Sequence, residues 1–389
     1  MFLAGGFQAH LPPPQSDNPA PTIHGLPLNT SPAILTDPRS ASHTERGLRF
    51  EIGNSFFRHE SAHGRDLGVL AAALYKKSTG RLRVLDAMCG CGIRSLRYLI
   101  QAEADFVLAN DAYDGYGRII DSNLSQTPRG SGDDLRWAVR HSDANRVMEE
   151  YYLREDFFDL IDIDSFGSNS SFFRSAFKAL KLGGLVYFTS TDGYSSGGHQ
   201  PQHSLASYGA YIRPMPYSNE VGLRMLIGGA VRDASVLGCR VSPLFSYFSS
   251  HGPVFRVMLR LSRGKLPVNS HYGFITYCTN CGHSQAFSWD ELGRISCPCT
   301  DTKDCSSILV SGPLWTGPLH CTAYTTEMLD LAERLGWAGR GSATPLEKLL
   351  KLLIDESDPK LPFGYIKLDE VASRAKINSP CRGAMLDSI

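Results

Sequence analysis

The segment RVLDAMCGCGIRS carries an acid, Asp86, at the end of a short apolar run, followed by Gly90 and Gly92. Glycines at such a place let the backbone approach a ligand and open a helix whose amides face it. The pattern D-x-x-x-G-x-G suits S-adenosylmethionine. Ser95 stands where G-x-G-x-x-G has its third glycine, which counts against a nicotinamide dinucleotide. The next apolar run ends LAND, placing Asp111 25 residues beyond Asp86. An acid at the end of a second strand can grip both hydroxyls of a ribose, and capping a helix is its plainer role. A third run ends HSDAN, where Asp143 can accept from an adenine amino group. Three acids at three successive strand ends point to one ligand, because doubly wound sheets bind at their carboxyl edge.

The fourth run, FDLIDIDSFGS, supplies a different chemistry. Asp162 and Asp164 are read as facing opposite sides of the strand, or with one just past its end. The exocyclic amine of a base is a poor nucleophile because its lone pair is delocalised. A carboxylate that accepts an N–H bond restores electron density to the nitrogen and can take the proton. Phe166, two residues on, can stack on the base and hold it in line with a methyl donor. The plainer role of either acid is to cap the helix that follows.

Ten cysteines are unevenly spread, five of them between Cys278 and Cys305. A secreted disulfide scaffold is shorter and spreads its cysteines, so the clustering points to a reducing compartment and a metal. Cys278-x2-Cys281 is followed after fifteen residues by Cys297, Cys299 and Cys305. This spacing reads as a zinc ribbon with an irregular second half. Tetrahedral zinc takes four ligands, so one of the last three is spare. Four thiolates leave no open position, and the metal would be structural. His283 reads as a loop residue rather than a ligand.

Short apolar runs alternate with helical patterns from about residue 67 to 264. This βαβ rhythm predicts a parallel sheet flanked by helices. CRVSPLFSYFSS and PVFRVMLRLS then read as an antiparallel pair. A parallel sheet finished by a hairpin is the layout of class I (Rossmann-like) methyltransferases. The fold expected is α/β, with a smaller zinc-containing α+β domain after it. Residues 1–44 are rich in proline, serine and asparagine, with Arg39 the only Lys or Arg, and read as a disordered leader. They have too little arginine for a typical organelle address, and the compartment stays open between nucleus, cytoplasm and organelle. The chain has 389 residues with 39 basic and 39 acidic side chains. Zero net charge excludes a bulk polycation that coats nucleic acid. No stretch is long and apolar enough to suggest a membrane span. The clusters Lys76, Lys77, Arg81, Arg83 and Arg260, Arg263, Lys265 are candidate phosphate contacts, with solvated surface the default.

The order FFRHESAHGRDLGVLAA, DAMCGCGIRSLRY, AND, SDANRVM, DLIDIDSFGS, YGAYIRPMPYSNEVGLRML, GPVFRVMLRLSRG, C-x-x-C and SGPLWTGPLH resembles the tRNA guanine-26 N2-dimethyltransferases over about residues 50–375. The resemblance implies that Arg65, Arg94, Asp111, Asp143 and Ala144 line an S-adenosylmethionine pocket. Arg65 and Arg94 would pair with the cofactor carboxylate, and Asp164 would be the catalytic acid with Phe166 beside it. Cys305 lies nearest the block where the family's last metal ligand falls. Four departures stand out. Gly64 replaces the family's Asn in the Asn-Arg-Asp segment. Ser165 replaces the proline of D-P-F-G, which loosens the loop. Cys89 and Cys91 open the cofactor loop to oxidation. The family continues past SPCRGAMLDSI with a tail that helps hold tRNA, so a truncated or divergent RNA-binding end is expected.

The reading is a methyltransferase domain over 45–264 and a zinc-ribbon-like, helical tRNA-binding domain over 265–389. It would transfer one or two methyl groups from S-adenosylmethionine to N2 of guanine 26 in tRNA, with no obligate protein partner. The rival is a catalytically impaired tRNA-binding protein that keeps the fold, motivated by Ser165 and the short tail.

Overall fold

A computed structural model describes residues 42–249, 251–264, 271–299, 307–339, 344–365 and 368–378. The leader up to residue 41, Lys265 and Cys305 lie outside them. The described chain opens with a hairpin, β1 (Ser42–Glu45) and β2 (Leu48–Glu51), so Ser42–Thr44 are strand rather than leader. The helix α1 (Ala62–Thr79) leads into an alternation of β3 (Arg83–Asp86), α2 (Ile93–Gln101), β4 (Phe106–Asn110), α3 (Gly117–Leu124), β5 (Trp137–Arg140), α4 (Ala144–Leu153), β6 (Phe158–Asp164), α5 (Phe173–Ala179) and β7 (Leu180–Ser190). Two short helices, α6 (Gly193–Ser196) and α7 (Pro201–Tyr208), precede the long α8 (Ser218–Val236). The hairpin β8 (Cys239–Ser249) and β9 (Val254–Arg263) completes the sheet.

The seven strands lie in the order β5-β4-β3-β6-β7-β9-β8. Five are parallel, and β9 inserts antiparallel between β7 and β8. The central strands read as continuous apolar runs because helices cover both faces. Leu85, Val107, Ile161, Ile163 and Val186 are buried accordingly. Every connection between parallel strands leaves from the same sheet edge, so the turns after β3, β4, β5 and β6 gather there.

A second sheet follows, with β10 (Tyr272–Cys278) between β11 (Ser284–Phe287) and β12 (Ile308–Trp315). It packs on α8, where a Cβ at Gly228 would lie 2.9 Å from the Leu314 Cα, so only glycine permits the approach. The helices α9 (Thr322–Arg334), α10 (Pro345–Asp355) and α11 (Leu368–Ala375) close the chain. Tyr324 and Met328 of α9 join the core formed by Leu67, Leu70 and Leu96, while Ile275, Tyr277 and Leu314 join the core on the other face of the large sheet. The residues after 264 therefore complete the cores of the methyltransferase sheet rather than building one apart from it.

Candidate active site and metal centre

The gathered turns enclose a cleft of about 710 Å³ at the carboxyl edge, within the range of small-molecule sites. Arg65, Gly90, Arg94, Asp111, Asp143, Ala144, Asp164 and Phe166 all line it. Gly90 sits at φ +55 and Gly92 at φ +81, backbone that a side chain would strain. The Gly90 amide donates to Asp111 Oδ2 at 3.0 Å, and the Tyr113 amide to Asp111 Oδ1 at 3.0 Å. These bonds fix the carboxylate at the cleft wall while leaving lone pairs for hydroxyl groups. Asp143 caps α4, its Oδ1 accepting from the Arg146 amide at 3.0 Å.

Two expected cofactor residues stand back from the cleft. Asp86 is fully buried, with Oδ2 accepting from Ser95 Oγ at 2.7 Å. It ties the loop to α2 instead of facing the ligand. Burial, with Asp162 beside it, pushes its carboxyl up to about 8. Gly92 is the first point of α2 and shapes the turn against Ile120.

Asp162 and Asp164 do not face opposite sides of β6. Residues two apart on a strand share a face, and both acids hold the same arginine. Arg94 Nη1 donates to Asp162 Oδ2 at 3.0 Å and Nη2 to Asp164 Oδ2 at 2.5 Å. Asp162 is wholly buried and also accepts from the Tyr98 hydroxyl at 2.6 Å. Asp164 is 32% exposed and opens on the cleft. Burial would raise its carboxyl, but Arg94 and then Arg256 outweigh it, and the net direction is down from 3.8. Asp164 is thus held as an ionised acceptor, and Asp162 anchors the arginine that holds it.

Arg65 is drawn into a different network. Its Nε and Nη2 both reach Glu45, at 2.9 and 2.6 Å, and Arg97 meets the same carboxylate. Its Nη1 has no protein hydrogen bond among the described residues. That leaves Nη1 of Arg65 and the second N–H of each Arg94 terminal nitrogen for a cofactor carboxylate.

Ser165 does not leave its loop loose. The Gly167 amide donates to Thr191 Oγ1 at 2.7 Å, and Gly167 O accepts from Ser190 Oγ at 2.7 Å and the Thr191 amide at 3.0 Å. The end of β7 supplies the restraint that proline gives elsewhere. Cys89 and Cys91 are both buried, and burial pushes both thiols up, which works against the oxidation expected of them.

Three cleft residues escape the sequence reading. Phe166 is 70% exposed and meets Phe56, 57% exposed, edge to face at 5.0 Å. Thr189 and Arg256 line the cleft from β7 and β9. Arg256 had a readable signal: a charge inside the apolar run PVFRVML is costly to bury without a task.

At the second sheet, Cys278, Cys281, Cys297 and Cys299 bring their sulfurs within 4.8 Å of one another. The pairs Cys278–Cys299, Cys281–Cys297 and Cys297–Cys299, 3.3 to 3.5 Å apart, lie close to the ~3.8 Å that four Zn–S bonds of 2.3 Å in a tetrahedron require. The four cysteines alone supply a complete ligand set, and Cys305 falls outside the described residues. His283 faces Gln285 rather than the sulfurs. Of the basic clusters, Lys76 pairs with Asp105 and Arg83 with Asp156, while Arg260 lies over the Tyr324 ring. No helix among the described residues is long and apolar enough to cross a membrane.

A sheet in this order, with an antiparallel strand next to last and an acid-rimmed cleft at its carboxyl edge, defines a class I methyltransferase. The sequence model of N2,N2-dimethylguanosine tRNA methyltransferases matches residues 48–389, and the chain belongs to that family. It is 27% identical over 330 residues to the tRNA (guanine(26)-N(2))-dimethyltransferase of Saccharolobus solfataricus, covering 83% of this chain and 80% of that protein. The Pyrobaculum aerophilum enzyme of the same name is 29% identical over 323 residues, covering 82% and 77%. Trm1 from Pyrococcus horikoshii, solved with S-adenosyl-L-methionine, shares the fold at a TM-score of 0.71 and 23% identity, covering 90% of this chain and 91% of that one.

Proposed function

We propose that the protein methylates N2 of guanine 26 in tRNA, using S-adenosylmethionine. The observation that carries this reading is Asp164, an ionised carboxylate opening on the same cleft as Gly90 and Asp111, with exposed aromatic rings at the mouth. In this reading Asp111 binds the ribose, and Asp143 with the start of α4 binds the adenine. Bound there, S-adenosylmethionine supplies an electrophilic methyl group. Phe166 and Phe56 hold the extruded base by its faces. Asp164 accepts an N–H bond from the exocyclic amine, raises electron density on the nitrogen, and takes the proton as the N–C bond forms. Arg94 keeps the carboxylate charged and aimed. The four cysteines hold a structural zinc at the far end of the second sheet.

Retention of this charged acid at the cleft counts against an impaired RNA-binding relic. The test is methyl transfer from labelled S-adenosylmethionine to unmodified tRNA transcripts. Label should enter a G26 transcript and be absent with A26 and with Asp164→Ala. Cofactor and tRNA binding without label in the G26 transcript would return the relic.

A further inference from the structure

Arg256 is only 2% exposed, yet it has one long hydrogen bond among the described residues, Nη2 to Ser61 Oγ at 3.3 Å. Its Nε has no partner among them. A buried guanidinium with unmet N–H groups is costly. The fold nevertheless makes room for it. A Cβ at residue 64 would stand 2.4 Å from Arg256 Nε, so the side chain lies in a groove on α1 that exists because Gly64 has no side chain. Thr189 beside it is also buried, and its Oγ1 is also unpartnered among the described residues. Both line the cleft.

Register places these groups in one row. Asp164 pairs with Thr189, and Thr189 with Arg256, across β6, β7 and β9. Directly paired residues share a face. The row therefore carries an acceptor at one end and a donor at the other, two strand spacings or ~9.5 Å apart at the backbone. The loop of Gly90 and the carboxylate of Asp111 belong to β3 and β4, on the opposite side of Asp164. Arg256 thus stands on the base side of the catalytic acid.

We infer that Arg256, supported by Thr189, donates to the O6 oxygen of the target guanine while Asp164 accepts from its amine edge. The assignment rests on the function proposed above. Guanine offers an acceptor at position 6 where adenine offers an amino donor. A guanidinium cannot accept, so adenine leaves Arg256 unpaired and brings two donors together. Buried polar groups left unmatched give strong discrimination. The row reads guanine by its donor edge and its acceptor in one plane.

The test compares full-length tRNA transcripts carrying guanine or 2-aminopurine at position 26. The analogue keeps the 2-amino group and lacks O6. It also lacks the N1 hydrogen, a loss common to every variant, so the change in the guanine to 2-aminopurine ratio isolates Arg256. With wild type, kcat/KM should favour guanine at least a hundredfold. Arg256→Met should lower that ratio at least tenfold, with the affinity for S-adenosylhomocysteine within twofold of wild type. Methionine keeps the length of the chain and removes the guanidinium, and because both transcripts are compared on one variant, any loss of stability cancels from the ratio. Gly64→Ala, which favours helix but fills the groove, should shift the ratio the same way. An unchanged ratio in Arg256→Met overturns the assignment. So does a tenfold loss of S-adenosylhomocysteine affinity with the ratio intact, which gives the guanidinium to the cofactor carboxylate. Wild type that methylates neither transcript overturns the proposed function itself.

Discussion

Replacing Arg94 by methionine tests the electrostatic core of the site. The side chain is buried and bridges two acids, at 3.0 Å to Asp162 and 2.5 Å to Asp164. Asp162 is fully buried, its Oδ1 has no partner among the described residues, and Arg94 is its charge partner. Removing one member of a buried pair costs about 3–5 kcal/mol, because the other charge is left uncompensated. For a chain of this size that lowers the melting temperature by about 5 °C. The deficit carries a sign in pH. Without Arg94 the folded carboxyls of Asp162 and Asp164 rise, so folding takes up protons. Stability is then full below the ordinary value of 3.8 and falls as pH rises through the folded values. The gap between Arg94→Met and wild type should therefore widen from pH 4 to pH 8 in circular-dichroism melts. Methyl transfer should show the same shift, its acid limb moving to higher pH because Asp164 must be ionised to accept. Adding Asp162→Asn should restore most of the lost stability, since it removes the stranded charge. Arg94→Met melting within about 2 °C of wild type at pH 8, with an unmoved acid limb, would refute the reasoning.

Other consequences are as direct. Asp86 is held up at about 8 by burial and Asp162, so its contribution is full below 3.8 and is lost as pH climbs toward 8. Asp86→Asn should flatten that decline, and melts at pH 5 and pH 9 that fall as steeply as wild type would contradict it. Phe56→Ala should weaken tRNA use by about fivefold to a hundredfold, the ~1–3 kcal/mol of one stacked base, with S-adenosylhomocysteine affinity unchanged. Titration of both ligands separates the two, and equal losses would sink the clamp. Elemental analysis should find one zinc per chain, and none after Cys281→Ser; metal-free wild type would show the cysteine group to be empty by nature.

Strand ends were readable because their signals are local. An apolar run, an acid and a glycine turn specify Asp111 or Asp164 within a dozen residues, and the sheet edge then assembles them. What escaped was set by register between distant strands. Arg256 lies 92 residues beyond Asp164, and only the pairing of β7 with both β6 and β9 brings them into one row. Arg65 and Arg94 were legible as site residues, but their engagement with Glu45 and with the two β6 acids depends on side-chain reach. The hairpin of β1 and β2 was invisible for a related reason: SHTERGLRFE has little apolar alternation, and it is held by Glu45 reaching Arg65 and Arg97. Ser165 was misleading because the restraint it lacks comes from Ser190 and Thr191 on another strand.

The shared cores bear on how this molecule folds. The sheet of β3–β9 cannot satisfy its apolar faces until α9 and β12 have arrived from more than fifty residues downstream of its last strand's start. Synthesis from the amino end therefore leaves the catalytic half with bare hydrophobic surface until the rest emerges. A fragment ending near residue 264 should aggregate or recruit chaperones rather than behave as a free-standing catalyst. Catalytic and carboxyl-terminal halves are thereby committed to a single cooperative unit, and a destabilising change in either would remove both from the soluble pool together.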